Sequence, residues 1–199
     1  MKQSILLLVL LFYGCVNYSV LDDSPEYFRA NIGPIHQELL NPLGLVFKGM
    51  VKTNDPEGTI HLYLLADNDT LLEEAFHSFE IRAGNNRKDE WEEFHYGFHS
   101  DGSTYEDYGG SMLALAIIAA VPFPQFIPGG AGYVNLYSRV SHFEDTASCF
   151  VALMHERTFS NDEILSNKVD TVRRFVNGEY NSIKKETITL SKQGENHGI

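Results

Sequence analysis

Cys15 and Cys149 are the only cysteines in the chain, and only Cys149 lies where a folded domain is expected. Lys2 precedes an unbroken apolar run, ILLLVLLFY, at residues 5–13. That run is well short of the ~20 residues a membrane-spanning helix needs. It has the layout of a secretory leader, so residues 1–19 are expected to be a signal peptide cut between Gly14 and Ser19. Gly14-Cys15 also has the form of an acylation site. Either way one thiol remains, and it cannot form an internal bridge. A secreted domain of this kind must then be held by its apolar core. Cys149 lies in the apolar stretch TASCFVAL, which predicts a buried, inert thiol. Asn68-Asp69-Thr70 reads as a glycosylation sequon.

The length of 199 residues predicts a single globular domain over residues 20–190, with residues 191–199 frayed. Lys and Arg number 15 against 27 Asp and Glu, a net charge of −12. That balance disfavours tracking a phosphate backbone, so no nucleic-acid partner is expected. It leaves room for a nucleotide ligand, which needs only one or two local cations.

The pattern along the chain predicts an α+β fold. Short strands are expected at residues 27–30 and 45–47, with a helical turn over residues 36–40 that Pro42 stops. Residues 53–58 (TNDPEG) are a turn by composition. Residues 59–66 (TIHLYLLA) fit a strand or a helix equally. Leu72, Ala75, Phe76 and Phe79 share one helical face, and Gly84-Asn85-Asn86 reads as a turn. Gly109-Gly110 and Gly129-Gly130 frame an Ala- and Leu-rich core helix at residues 113–120, too short to span a membrane. Strands are expected at residues 133–140 and 149–154. A helix at residues 162–169 is expected, capped by Ser160 or Asn161. Residues 172–176, Asn177-Gly178 and residues 188–190 read as a closing hairpin. There is no βαβ alternation and no Gly-x-Gly-x-x-Gly, which disfavours a dinucleotide-binding Rossmann domain.

Histidines are the first candidates for chemistry. His95 and His99 stand at i, i+4, but Gly97 lies between them and no Glu follows the first, so no metal site is expected. Asp67, Asp69, Glu73 and Glu74 read as a solvated acidic face.

Residues 27–49 read YFRANIGPIHQELLNPLGLVFKG. Phe28-Arg29-Ala30-Asn31, Pro34, Glu38-Leu39 and Gly44-Leu45-Val46-Phe47-Lys48-Gly49 follow in order. Further on come Gly58-Thr59-Ile60-His61-Leu62-Tyr63, Ser103-Thr104 and Met154-His155-Glu156. This series resembles the A subunits of enterotoxin- and pertussis-type ADP-ribosyltransferases. The resemblance implies an ADP-ribosyltransferase-like fold of small β-sheets packed with helices. It also implies a secreted enzyme that cleaves the nicotinamide–ribose bond of NAD as its substrate. A protein acceptor in a host or target cell, and a delivery partner, would go with that activity. In that reading Arg29, Ala30, Ser103 and Thr104 hold the dinucleotide. Glu156 would stabilise the oxocarbenium-like transition state, with Arg29 as its cation and Ser103 orienting it. Met154 stands where the family carries a first Glu, which leaves NAD hydrolysis, another acceptor or an inactive relative open; His155 is a substitute base. A different class is also open. Residues 79–94 resemble the Asn…Trp-x-Glu stretch of galectin-type lectins, which implies Trp91 exposed on a concave sheet beside Glu93 and Arg82.

Overall fold

The computed structural model describes residues 16–38, 48–99 and 129–180. Residues 1–15 of the expected leader, the expected strand at 45–47, Ser103-Thr104, Gly109-Gly110, the expected core helix at 113–120, the expected strand at 188–190 and residues 191–199 lie outside the described residues. Within them the chain is α+β. It has α1 (Glu26–Arg29), α2 (Asn68–Asn86), α3 (Lys88–His99), α4 (His142–Met154) and α5 (Glu163–Val176). The strands are β1 (Ile35–Glu38), β2 (Gly49–Val51) and β3 (Ile60–Tyr63), and 3-10 turns occur at Tyr18–Leu21 and Tyr137–Arg139. No described helix is long and apolar enough to cross a membrane.

The helix α2 organises everything else. Asp67 accepts the Thr70 N–H at its start, satisfying an otherwise orphaned donor. The apolar face foreseen in the sequence extends to a second turn, and Leu71, Leu72, Ala75, Phe76, Phe79 and Ala83 are all buried. The helix continues through Gly84-Asn85-Asn86 rather than turning there. Gly84 packs under Trp91 of α3, and the chain breaks at Arg87. The Arg87 guanidinium lies 4.6 Å from the Phe79 ring centre and receives further anchoring from Tyr27 and Glu90.

Several short blocks take the opposite form from the expected one. Residues 27–30 are not a strand. Pro25 fixes the backbone at a helix start, and α1 drives Phe28 fully into the core, 4.5 Å from Phe150. Residues 36–38 belong to β1, not to a helical turn, because β1 pairs in parallel with β3 (Ile35↔Ile60, Glu38↔Tyr63). β2 pairs antiparallel on the other side of β3 (Gly49↔Leu62), giving the order β1-β3-β2. This pairing also settles residues 60–63 as strand. Residues 133–140 form turns: Asn135 Oδ1 accepts from both Ser138 N–H and Ser138 Oγ–H, closing a local loop. Residues 149–154 are the second half of α4, whose start is set by Ser141 accepting the Glu144 N–H. Residues 172–176 end α5, capped by Asp162 and not by Ser160 or Asn161. Gly178, at φ 72°, then turns the chain. Cys149 is fully buried, as expected.

The core lies where α2, α3, α4 and α5 meet. Phe94 and Phe175 stack at 4.1 Å, Phe76 and Phe150 at 5.1 Å, and Phe79 meets Phe175 edge-on at 4.9 Å. The sheet is tied to α2 through Ser78. Its hydroxyl accepts the Gly33 N–H at 2.7 Å and donates to the Gly58 carbonyl at 2.6 Å, and Ser78 is fully buried. Gly33 is required here, since a Cβ would sit 2.3 Å from the Glu57 carbonyl oxygen. Ser78→Ala strands both backbone groups in an apolar setting. It is expected to lower stability by about 1–3 kcal/mol, read by urea unfolding. At the start of the described residues, Val16 and Val20 pack against the core and the Asn17 N–H donates to Asn68.

Candidate functional site

The residues singled out by the transferase resemblance stand as follows. Arg29 ends α1, and its guanidinium donates to the carbonyls of Leu21, Asp22 and Ser24, tying down the first 3-10 turn. Ala30 is the exposed cap of α1. Glu156 is exposed in the turn after α4, at φ 52°. His155 pairs with Asp69 at 2.7 Å on the surface. Among the described residues no hydrogen bond or ion pair joins Arg29 to Glu156. Trp91 does not lie on a concave sheet: it sits half-buried on α3, 4.0 Å from the His95 ring, because Gly84 leaves room for it against α2.

The acidic run is solvated at its start, where Asp67 and Asp69 are exposed, but less so further on. Asp67 caps α2 and pairs with Lys48 at 2.6 Å. Glu73 and Glu74 are half-buried. One turn on, His77 lies on the same side, and Glu80 follows it, since positions i, i+4 and i+7 share a helical stripe. Facing this stripe is the first turn of α4. His77 Nε2 is 3.5 Å from Glu144 Oε2, and His77 Nδ1 is 3.9 Å from Glu80 Oε2. Tyr137 lies near Glu144, whose charge bears on its phenol. Glu74 reaches toward the sheet, where its side chain lies over Gly49 of β2. Among the described residues β2 is an edge of the sheet.

The stripe continues as a polar seam between helices. Glu80 is fully buried, and its Oε2 accepts the Thr146 hydroxyl at 3.0 Å. Its Oε1 accepts no hydrogen bond and faces His95 Nε2 of α3 at 3.5 Å. His95 Nε2 in turn is 3.3 Å from His142 Nε2 of α4.

The electrostatics follow from three half-buried carboxylates, Glu73, Glu74 and Glu144, around one imidazole. Burial pushes the Glu73 carboxyl up to about 8, with repulsion from Glu144 and Glu74 adding to it. Burial likewise pushes Glu74 up to about 7. At His77 burial opposes the charged form, but hydrogen bonds to Glu144 and Glu80 outweigh it and hold the imidazole well above its usual range. Burial and the Glu144 charge hold the Tyr137 phenol well above its usual value. Of Glu73, His77 and Glu144, carried on two facing helices, His77 and Glu144 are in contact at 3.5 Å, and the three would converge on one zinc-like divalent cation only with a movement of their side chains. The sequence did carry a signal for this site: Glu73-Glu74-x-x-His77 places two ligand types at i, i+4 with an acid between them. Comparison with protein-family models, with curated proteins and with solved structures returns no match for this chain.

Proposed function

We propose that the protein is a metal-dependent hydrolase acting on peptides, with a divalent cation held by Glu73, His77 and Glu144. The observation that carries this reading is the Glu73-Glu74-x-x-His77 turn of α2 facing Glu144 and Tyr137. A helix with two ligands at i, i+4 and an acid beside the first is the arrangement that metallopeptidases of the His-Glu-x-x-His type use, with the acid as general base. Here Glu73 stands in the first ligand position. The cation would polarise a substrate carbonyl and acidify a water. Glu74 is placed to take the proton of that water and to return it to the leaving amine. The phenol of Tyr137, kept protonated, is a hydrogen-bond donor for charge developing on the carbonyl oxygen. The β2 edge beside Glu74 offers backbone groups for an extended peptide to pair with.

The test is cleavage of a quenched peptide mixture by the purified full chain with and without Zn2+ or Co2+. Ion-dependent cleavage that falls at least ~100-fold in Glu74→Gln, with unchanged circular dichroism, is the expected result. The transferase expectation, with NAD as substrate and Arg29, Ser103 and Glu156 as its residues, rests on the resemblance described above. NAD consumption that Glu156→Gln abolishes, with no ion-dependent peptide cleavage, would replace the hydrolase reading with that one.

A further inference from the structure

We infer that the chain binds a second zinc-like cation at Glu80, His95 and His142, a site that clamps α2, α3 and α4 together. One ligand atom from each residue lies within 4.8 Å of those of the other two. The separations of 3.5 Å from Glu80 Oε1 to His95 Nε2 and 3.3 Å between the two imidazole Nε2 atoms fit a shared ion. In a tetrahedral site with bonds of about 2.0–2.1 Å, ligand atoms stand about 3.3–3.4 Å apart. Two imidazoles and a carboxylate are also a donor set that zinc takes readily.

A second observation comes from Glu80 itself. Its carboxylate is fully buried, yet Oε1 accepts no hydrogen bond and points at His95, while Oε2 is already held by Thr146. A buried carboxylate oxygen left in that state is costly unless a cation or a donor meets it. His95 Nε2 faces both Glu80 Oε1 and His142 Nε2, and one ring nitrogen carries at most one proton to give. A cation bonded to all three removes that conflict, since it needs lone pairs from each. The Thr146 hydroxyl fixes the carboxylate from behind, as outer partners of metal ligands do. The three ligands come from three helices, so the ion would be a cross-link of the core. This site shares no ligand with the Glu73, His77 and Glu144 site and does not depend on it.

The experiment titrates the metal-stripped full chain with Zn2+ by calorimetry and with Co2+ by visible absorption. The proposal expects Glu80→Gln and His142→Asn each to lose one bound ion, with affinity at that site falling at least ~100-fold. His142→Cys, which keeps a zinc ligand, is expected to restore it. Zn2+ is expected to raise the thermal midpoint more in the wild type than in Glu80→Gln. Full stoichiometry and an unchanged cobalt spectrum in both Glu80→Gln and His142→Asn would overturn the proposal. So would a single ion that Glu144→Gln loses and Glu80→Gln keeps. A single ion that Glu80→Gln loses and Glu73→Gln keeps would uphold this site while removing the catalytic one.

Discussion

Asp145→Asn is expected to lower the stability of the fold by about 3–5 kcal/mol, the range found when one partner of a buried ion pair is removed. Asp145 Oδ2 and Lys168 Nζ are 2.7 Å apart, and both side chains are fully buried. Lys168 also donates to the Gly132 carbonyl at 2.9 Å, and its ammonium lies 4.4 Å from the Tyr133 ring centre. The pair therefore joins α4 to α5 and to the loop that leads into α4. With Asp145 neutralised, the Lys168 ammonium stays buried without its counter-charge. Urea unfolding of the variant should show a lower midpoint at an unchanged slope. Replacing both partners together, Asp145→Leu with Lys168→Met, should recover most of the loss, because two apolar groups leave no uncompensated charge. A double variant no more stable than Asp145→Asn would show that the pair does more than satisfy its own charges.

The metal-free protein is expected to lose stability steadily as pH rises from the ordinary Glu range to about 8. The sign follows from the raised carboxyl values of Glu73 and Glu74. The folded state holds their protons more tightly than the unfolded state does. Their stabilising contribution is complete below the unfolded carboxyl range and disappears as pH climbs through the folded values. His77, also raised, acts in the same direction, losing its contribution as pH passes its folded value. The groups that set this response are Glu144 and Tyr137 across from α2, and Asp69 on α2 itself. Asp67 works the opposite way at the acid end: Lys48 and the Thr70 amide hold it below its usual value, so its contribution fades only as pH falls below the ordinary Asp range. Adding Zn2+ should invert the slope above pH 6, because cation binding requires these ligands to be deprotonated. Thermal midpoints measured from pH 5 to 9 with and without the ion test this directly. A midpoint that rises with pH in the absence of metal would contradict the burial of the acidic cluster.

What could be read from residues alone was the part governed by local pattern. The apolar positions of α2, the turn around Asp55, and the burial of Cys149 were all legible. Asp55 accepts the N–H groups of Glu57 and Thr59, and such local bonds are written in the TNDPEG composition. The first part of the long helix was legible because Leu72, Ala75, Phe76 and Phe79 already define a face, but its continuation through Gly84-Asn85-Asn86 was not. The short blocks were not. Residues 27–30, 36–38, 133–140, 149–154 and 172–176 each span too few positions for periodicity to separate strand from helix. Their form is chosen by Pro25, by the β3 partner, by the Asn135 loop, and by the caps Ser141 and Asp162.

The candidate site shows the same division. The spacing of Glu73, His77 and Glu80 along one helical stripe is a property of the chain itself, because 3.6 residues make a turn. So is the α+β class. Only the tertiary structure decided that this stripe faces inward. It brings Glu144 and His142 from α4, and His95 from α3, to within hydrogen-bonding or ligand distance of residues far away in sequence. The reason is energetic: apolar packing of Phe76, Phe94, Phe150 and Phe175 fixes how the helices meet, and the acids and imidazoles are carried along with it. A carboxylate's charge, partner and acidity depend on that meeting and on the loss of water, and neither is encoded in any short window of sequence.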